Sequence, residues 1–559
     1  MKNKINQDQR DWVRQTFDSL TVEQKIGQLV CERDHALLRQ PDLAKWLKKY
    51  PVGSVFVGAE IIQADLDSTA KIRDSVTAVN AASQTPVLFC GDFEHGVGSE
   101  VSGLTRLPDL MALGAAGCAR LAREYGAVIA REGLSLGVRW TFSPVVDLNT
   151  NINSWVVNQR AIGDEPGRAV KQLKALVAGM QAAGMAACIK HFPGDGTDDR
   201  NQHVVTSLQM LPFKEWEKMH GRVFQELIDA DALSVMIGHI GFPALEGPDK
   251  KNGRYRPATA SKKLMTDLLR RKMGFKGIIV TDALTMCGFC SWAPYEQRIL
   301  ECFNGGADVF LWPDTPRFFE LMRRALKDGR ASLKRLDESA RRVLEFKALL
   351  GLHAAPAMEP LPAKLRTQHQ TFARTVAERS LTLLRNRRQL LPLKLRRGAR
   401  ALVMVAQNKP TDSGQFTLDK FAPLCAEFKK RGVKVTLASA DDFHNYRDEL
   451  DKFAVVLLVG NIGTLNAGGS INVVGKAGGI LWPLMARGES KLIGVSFGNP
   501  YFLREIASID TYVNAYSNCD ESQRAVVAAL FGEIPFPGRS PVSCPFVFRA
   551  GEGGGRTTG

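Results

Sequence analysis

Eight short, continuous apolar runs punctuate the first two thirds of the chain, at 28–31, 53–57, 87–91, 138–146, 186–190, 233–238, 277–281 and 308–312. Unbroken apolar runs of this kind, rather than alternating ones, predict parallel strands buried on both faces. Between them, helical periodicity predicts helices such as 113–137 and 261–272, the latter opened by Ser261 as N-cap and closed near Gly274. Thr21-Val-Glu-Gln24 is a capping box ahead of the first run. Eight strands alternating with helices predict an α/β fold, an N-terminal (β/α)8 TIM-like barrel, whose reactive groups stand just past the C-terminal ends of the strands. The polar residues at those positions are Asp92, Glu94 and His95, then Asp147 and Asn149, Lys190 and His191, His239, and Asp282.

The pattern breaks at Gly351-Leu-His-Ala-Ala-Pro-Ala-Met-Glu-Pro-Leu-Pro-Ala363, where three prolines and no apolar periodicity predict a linker. Five further strand candidates follow, at 401–406, 433–438, 454–460, 492–497 and 511–516, with helices such as 421–431 between them. This predicts a doubly wound α/β sandwich domain. The expected division is 1–350 for the barrel, 351–370 for the linker, 371–548 for the second domain and 549–559 for a Gly-rich, disordered tail.

Composition adds limits. With 559 residues, 45% hydrophobic and 24% charged, the chain is no disordered polymer, and it is long enough for at least two cores. The net charge of +16 admits polyanion binding, and seven basic residues cluster between Arg385 and Arg400. That strip lacks aromatic side chains for base stacking and contains Leu-Leu-Pro-Leu, so a solvated surface is expected and no nucleic-acid partner. The first residues hold no apolar leader core, and no run of eighteen apolar residues occurs. A cytoplasmic protein without a membrane partner is therefore expected. Ten scattered cysteines fit reduced thiols; Cys287-Gly-Phe-Cys290 has no second pair to complete a zinc site, so neither metal nor cofactor is expected.

The densest chemistry lies in Lys190-His-Phe-Pro-Gly-Asp-Gly-Thr-Asp-Asp-Arg-Asn-Gln-His203, a strand end running into a loop whose glycines free the backbone to fold over the barrel mouth. Standing alone, its histidines could be ordinary surface loop residues. The segment resembles the Lys-His-Phe-Pro-Gly-(His/Asp)-Gly-x-x-x-x-Asp-x-His signature of glycoside hydrolase family 3, in the branch of bacterial β-N-acetylglucosaminidases. Val22-Glu-Gln-Lys-Ile-Gly-Gln-Leu29, Leu107-Pro-Asp-Leu-Met-Ala-Leu-Gly-Ala115, Trp140-Thr-Phe-Ser-Pro-Val-Val-Asp-Leu148 and Gly274-Phe-Lys-Gly-Ile-Ile-Val-Thr-Asp-Ala-Leu-Thr-Met286 add to the resemblance. Ser496-Phe-Gly-Asn-Pro-Tyr501 and Ala529-Leu-Phe-Gly532 look like the family's C-terminal sandwich domain.

The resemblance implies a retaining glycosidase that forms a covalent glycosyl-enzyme. It implies Asp282 as nucleophile, His203 as acid/base, and Asp92, Arg160, Lys190 and His191 as residues holding the terminal sugar; His95, His239 and Asp147 are second-tier pocket candidates. Two positions depart from the pattern. Asn201 stands where most relatives carry the Asp that supports the acid/base histidine, with Asp195, Asp198 and Asp199 as alternatives nearby. Glu100 stands where the peptidoglycan-recycling relatives carry a sugar-binding Arg, with Arg106 nearby but offset. The expected function is removal of terminal non-reducing β-linked N-acetylglucosamine from a carbohydrate such as a peptidoglycan or chitin fragment. A β-glucosidase or glycoside phosphorylase of the same family is the alternative enzyme, and a catalytically weak carbohydrate-binding protein the alternative of another class.

Overall fold

The computed structural model describes residues 5–58, 68–250, 252–407, 418–464 and 491–554. The chain divides into two compact units, one of 1–105, 122–147 and 170–367, the other of 106–121, 148–169 and 368–559.

In the first unit all eight predicted strands are present: β1 (Val30–Arg33), β2 (Ser54–Phe56), β3 (Leu88–Gly91), β4 (Val138–Thr141), β5 (Ala186–Phe192), β6 (Ser234–Ile237), β7 (Ile278–Thr281) and β8 (Phe310–Leu311). They form one parallel sheet in the order β8-β1-β2-β3-β4-β5-β6-β7, and a parallel bridge between Val280 and Val309 joins its two ends into a barrel. Every residue of β5 is buried, as expected for a strand covered on both faces. The barrel interior is filled by Cys31, Cys90, Trp140, Cys188, Met236 and Val280, among others. The Trp140 indole donates to the Ser234 hydroxyl at 2.8 Å, so its one polar atom is satisfied inside this core. Because all strands run the same way, their C-terminal ends share one rim.

Local differences from the predicted elements have local causes. The helix expected over 113–137 is two helices, Leu110–Ala116 and Ala119–Leu134, because Gly117 takes the left-handed conformation at φ 63° and ends the first. Strand β4 stops at Thr141, and beyond it Val145 makes only an isolated bridge to Lys190. The Thr21 capping box forms as read, and the Ser261 hydroxyl accepts from the Leu264 amide at 3.2 Å, at the head of the helical segment Lys263–Lys272.

The second unit carries β9 (Thr382–Asn386), β10 (Arg400–Gln407), β11 (Lys434–Ser439), β12 (Val455–Asn461), β13 (Leu492–Ser496) and β14 (Thr511–Asn514). Their order is β9-β14-β13-β12-β10-β11, parallel except for the antiparallel edge strand β9, which the sequence pattern did not predict. Segments 106–121 and 148–169 group with this unit although they are barrel loops in sequence. Their Met111, Ala112, Val156, Val157 and Ala161 share a core with Leu402, Met404, Leu458 and Tyr512, so apolar burial outweighs chain order. The irregular part of the linker ends where helix Ala363–Ser380 begins, inside the predicted 351–370. The expected disorder of 549–559 does not hold through 554, because the backbone finds partners: the Gly551 amide donates to the Ser540 carbonyl at 2.7 Å and the Ser540 amide to Glu552 at 2.8 Å. Much of the basic strip is held by its own unit. Arg388 pairs with Asp510 at 2.7 Å, Arg385 donates to the carbonyls of Ala507 and Ile509, and Arg400 lies over the Phe453 ring. Among the described residues, no helix is long and apolar enough to cross a membrane.

Candidate active site

The end of β5 places Lys190 and His191 on the barrel rim. Lys190 is 2% exposed, and its ammonium meets Asp92 Oδ1 at 2.5 Å and Glu94 Oε1 at 2.7 Å, both from the loop after β3. A buried ammonium is tolerable only when paired in this way. Glu100, from the same loop, is pushed up to about 8, first by burial and then by Asp92 and Glu94, with Lys190 opposing. At neutral pH it is therefore mostly a neutral acid that can donate a hydrogen bond.

His191 is held from behind. Its Nδ1 donates to Asp147 Oδ2 at 2.7 Å, and Asp147 also accepts from the backbone amides of His191 at 3.1 Å and Asp195 at 2.8 Å. Burial acts to raise the Asp147 pKa, but His191 and these donors outweigh it and hold the carboxylate below its usual range. With Nδ1 engaged, Nε2 of His191 faces Asp282 Oδ2 at 4.0 Å.

Asp282 follows β7 directly, and its Oδ1 accepts from the Ala283 amide at 2.8 Å. Burial favours the protonated acid, but His191, His239 and His203 together with the Ala283 amide overcome it, so the pKa lies below the usual carboxylate value. His239 is itself fixed by Thr259 Oγ1 at 2.9 Å and the Ala283 carbonyl at 2.9 Å, and burial holds it neutral-leaning, with a lowered pKa.

The loop after β5 carries His203 into the field of Asp282. Its Nδ1 and its backbone amide both donate to Asn201 Oδ1, at 2.7 and 2.9 Å, which fixes a proton on Nδ1 and the orientation of the ring. Asp198 is not the partner: it accepts from Arg200 Nε at 2.8 Å and from the Leu208 amide at 2.8 Å. The loop is clamped by backbone. The Cys287 amide donates to the His203 carbonyl at 3.0 Å, the Gly288 amide to the Gln202 carbonyl at 3.1 Å, and the His239 amide to Gln202 Oε1 at 2.7 Å. Asp92, Lys190, His191, His203, Asn201 and Asp282 all belong to the barrel unit, whereas Arg160 is carried by the other unit, where its Nη1 donates to the Val156 carbonyl at 2.8 Å. Arg106 likewise belongs to that unit and donates to Asn518 Oδ1 at 2.6 Å. Sequence reasoning missed Glu94 as a partner of Lys190, although it sits two residues from Asp92, and it missed the clamp at Cys287 and Gly288, because backbone amides leave no residue signature.

A carboxylate held below its usual pKa range and an imidazole fixed through Nδ1, set in the loops that follow strands of a (β/α)8 barrel, are the parts of nucleophilic glycosyl transfer. Residues 21–346 match the glycosyl hydrolase family 3 N-terminal domain. The chain belongs to this family. As a family 3 protein it is a glycoside hydrolase. It is 30% identical over 550 residues, 95% of each chain, to a β-N-acetylglucosaminidase/β-glucosidase of Cellulomonas fimi. Among solved structures it is similar to a β-glucoside phosphorylase, BglX, bound to 2FGlc, with TM-score 0.84, 27% identity and 98% of both chains covered. It is also similar to a family 3 β-N-acetylglucosaminidase from Paenibacillus sp. str. FPU-7, with TM-score 0.82, 25% identity and coverage of 94% and 99%. These family 3 neighbours share the layout of a parallel barrel and a separate mixed sheet.

Proposed function

We propose that this family 3 enzyme hydrolyses terminal, non-reducing β-linked N-acetylglucosamine with retention, through a glycosyl intermediate on Asp282. The observation that carries the proposal is the placing of Asp282 directly after β7, its Oδ1 held by the Ala283 amide at 2.8 Å and its Oδ2 4.0 Å from His191 Nε2, with a pKa below the usual carboxylate range despite burial. Its carboxylate attacks the anomeric carbon while His203 Nε2 protonates the departing oxygen. The same nitrogen then takes a proton from water, and the hydroxide character so produced releases the sugar from Asp282. Asn201 fixes the His203 ring through Nδ1; Asp92, Lys190 and His191 hold the sugar hydroxyls. All ten cysteines are free thiols, which fits work in a reducing compartment such as the cytoplasm.

One observation favours a second reading. Asn201 puts a neutral amide, 2.7 Å from His203, where the family signature implies a carboxylate. An anionic acceptor such as phosphate meets less repulsion there, and it could replace water in the second step to give a sugar 1-phosphate. The deciding experiment compares p-nitrophenol release from the β-N-acetylglucosaminide and the β-glucoside between pH 4.5 and 8, with and without phosphate. Faster cleavage of the N-acetyl substrate without phosphate dependence supports the hydrolase. Acceleration by phosphate with a sugar 1-phosphate product replaces it by the phosphorylase. Release no faster than from the Asp282→Ala control on either sugar leaves only a binding protein.

A further inference from the structure

Seven large apolar side chains are exposed among the described residues, and three of them fall within seven consecutive positions of the loop that carries His203: Val204 at 50%, Val205 at 39% and Met210 at 57%. Their exposure is not that of a loose loop. The amides of both Val204 and Val205 donate to the Asn201 carbonyl, at 2.9 and 3.0 Å, and the preceding carbonyls of Gln202 and His203 are held by Gly288 and Cys287. Two stiff, β-branched side chains are thus presented to solvent on a backbone fixed from both sides, and ordering them on binding costs little entropy.

The position has a chemical meaning. An acid/base must come within hydrogen-bond reach of the oxygen it protonates, about 2.6–3.2 Å. Whatever is attached to that oxygen therefore passes beside the residues next to His203. Those residues offer few polar groups to it. After Val204 and Val205, the Thr206 hydroxyl is already donated to the Gly288 carbonyl at 2.7 Å. We propose that Val204 and Val205 form the contact surface for the leaving group, and that this enzyme is selective for β-glycosides of apolar alcohols, alkyl or aryl, over those whose aglycone is a second sugar. The proposal rests on His203 acting as the acid/base. The aglycone is present only until the first bond breaks, so the selectivity belongs to formation of the glycosyl-enzyme and not to its hydrolysis.

The test uses hexyl and methyl β-N-acetylglucosaminide, whose leaving alcohols differ little in basicity, together with the disaccharide of N-acetylglucosamine. The expected result is a kcat/KM for the hexyl glycoside at least about tenfold above the methyl glycoside and above the disaccharide, the size expected for burying a few methylenes. In Val204→Thr/Val205→Thr, which keeps the side-chain shape, the hexyl-to-methyl ratio should fall below about threefold; in Val204→Ile/Val205→Ile it should hold or widen. Equal rates on hexyl and methyl glycosides, preference for the disaccharide, or a ratio that neither variant moves overturns the proposal. So does a concentration-dependent dimer in sedimentation that the Thr variant abolishes while the ratio stays put, since the patch then serves a second copy of the chain. No turnover of methyl, hexyl or p-nitrophenyl N-acetylglucosaminide defeats the hydrolase reading itself, and the proposal with it. Turnover of all three without hexyl preference defeats the proposal alone.

Discussion

Asp282 and His203 are each tuned by neighbours that differ in kind. Asp282 lies among imidazoles, so Asp282→Ala should lower turnover by at least about 10^4-fold with the circular dichroism spectrum unchanged; a rate near wild type would remove it as nucleophile. His203 lies beside an uncharged amide, and Asn201→Asp should favour its protonated form, because a carboxylate replaces the amide oxygen 2.7 Å from Nδ1. The basic limb of the pH–rate profile should then move to higher pH, and any acceleration by phosphate should weaken. An unmoved profile would mean that this charge does not govern the proton transfer. The candidates were legible in the sequence because strand-end polar residues and the Lys190–His203 segment are contiguous. The roles of Asp147 and Glu94 were not, since a carboxylate's partner is set by which side chain folds against it: Asp147 meets His191 across 44 positions and Glu94 meets Lys190 from a different strand end.

The strands and loops carry a second layer of control. Parallel strands end on one rim, so β3, β5 and β7 bring Asp92, Lys190 and Asp282 into one unit from positions far apart in sequence. The His203 loop depends on a clamp at Gly288, where an added Cβ would stand 2.4 Å from the Gln202 carbonyl oxygen and 3.0 Å from that of Val205. Neither backbone atom can move without dragging His203. Gly288→Ala should therefore reduce kcat/KM by about 10^2-fold, the effect of a displacement near 1 Å in a catalytic group, while the barrel still folds. Activity within a factor of two of wild type would show that the loop's position does not rest on this contact. Helix ends were readable where a cap has a side chain, as at Thr21, and less so where a glycine such as Gly117 stops a helix in the middle of an apolar pattern.

For the molecule as a whole, acid is the weak side. His220 is fully buried with no hydrogen bond to either ring nitrogen, and its ring packs against Gly194 in the turn that follows His191. Burial pushes its pKa down to about 4, with Asp147 opposing. The unfolded chain takes up this proton near its ordinary value of about 6.5, well before the folded protein does. The contribution to stability is therefore intact above about pH 6.5 and is lost as pH falls toward 4, amounting to about 2 kcal/mol between pH 7.5 and 5. Urea unfolding at those two values should show the loss, and His220→Leu should reduce it by a comparable amount. An identical pH dependence in the variant would assign acid sensitivity to other groups. Because the Gly194 amide donates to the His191 carbonyl and Asp147 holds the His191 ring, acid strain at His220 falls on the support of His191 as well as on the core.

The order of apolar runs was enough to specify eight parallel strands and a second α/β sheet, because burial on both faces of a strand imposes a continuous apolar signature that needs no partner to be read. The motif residues from Lys190 to Asp282 were equally local. What only folding decided was pairing. Segments 106–121 and 148–169 group with the second unit because their apolar side chains find their core there, taking Arg160 with them. Asp282 lies below the usual carboxylate pKa range because histidines from separate segments and the Ala283 amide outweigh its burial. The edge strand β9 forms by pairing with β14, across more than a hundred positions. Free energies of this kind depend on distances between residues remote in the chain, and a one-dimensional pattern carries no record of them.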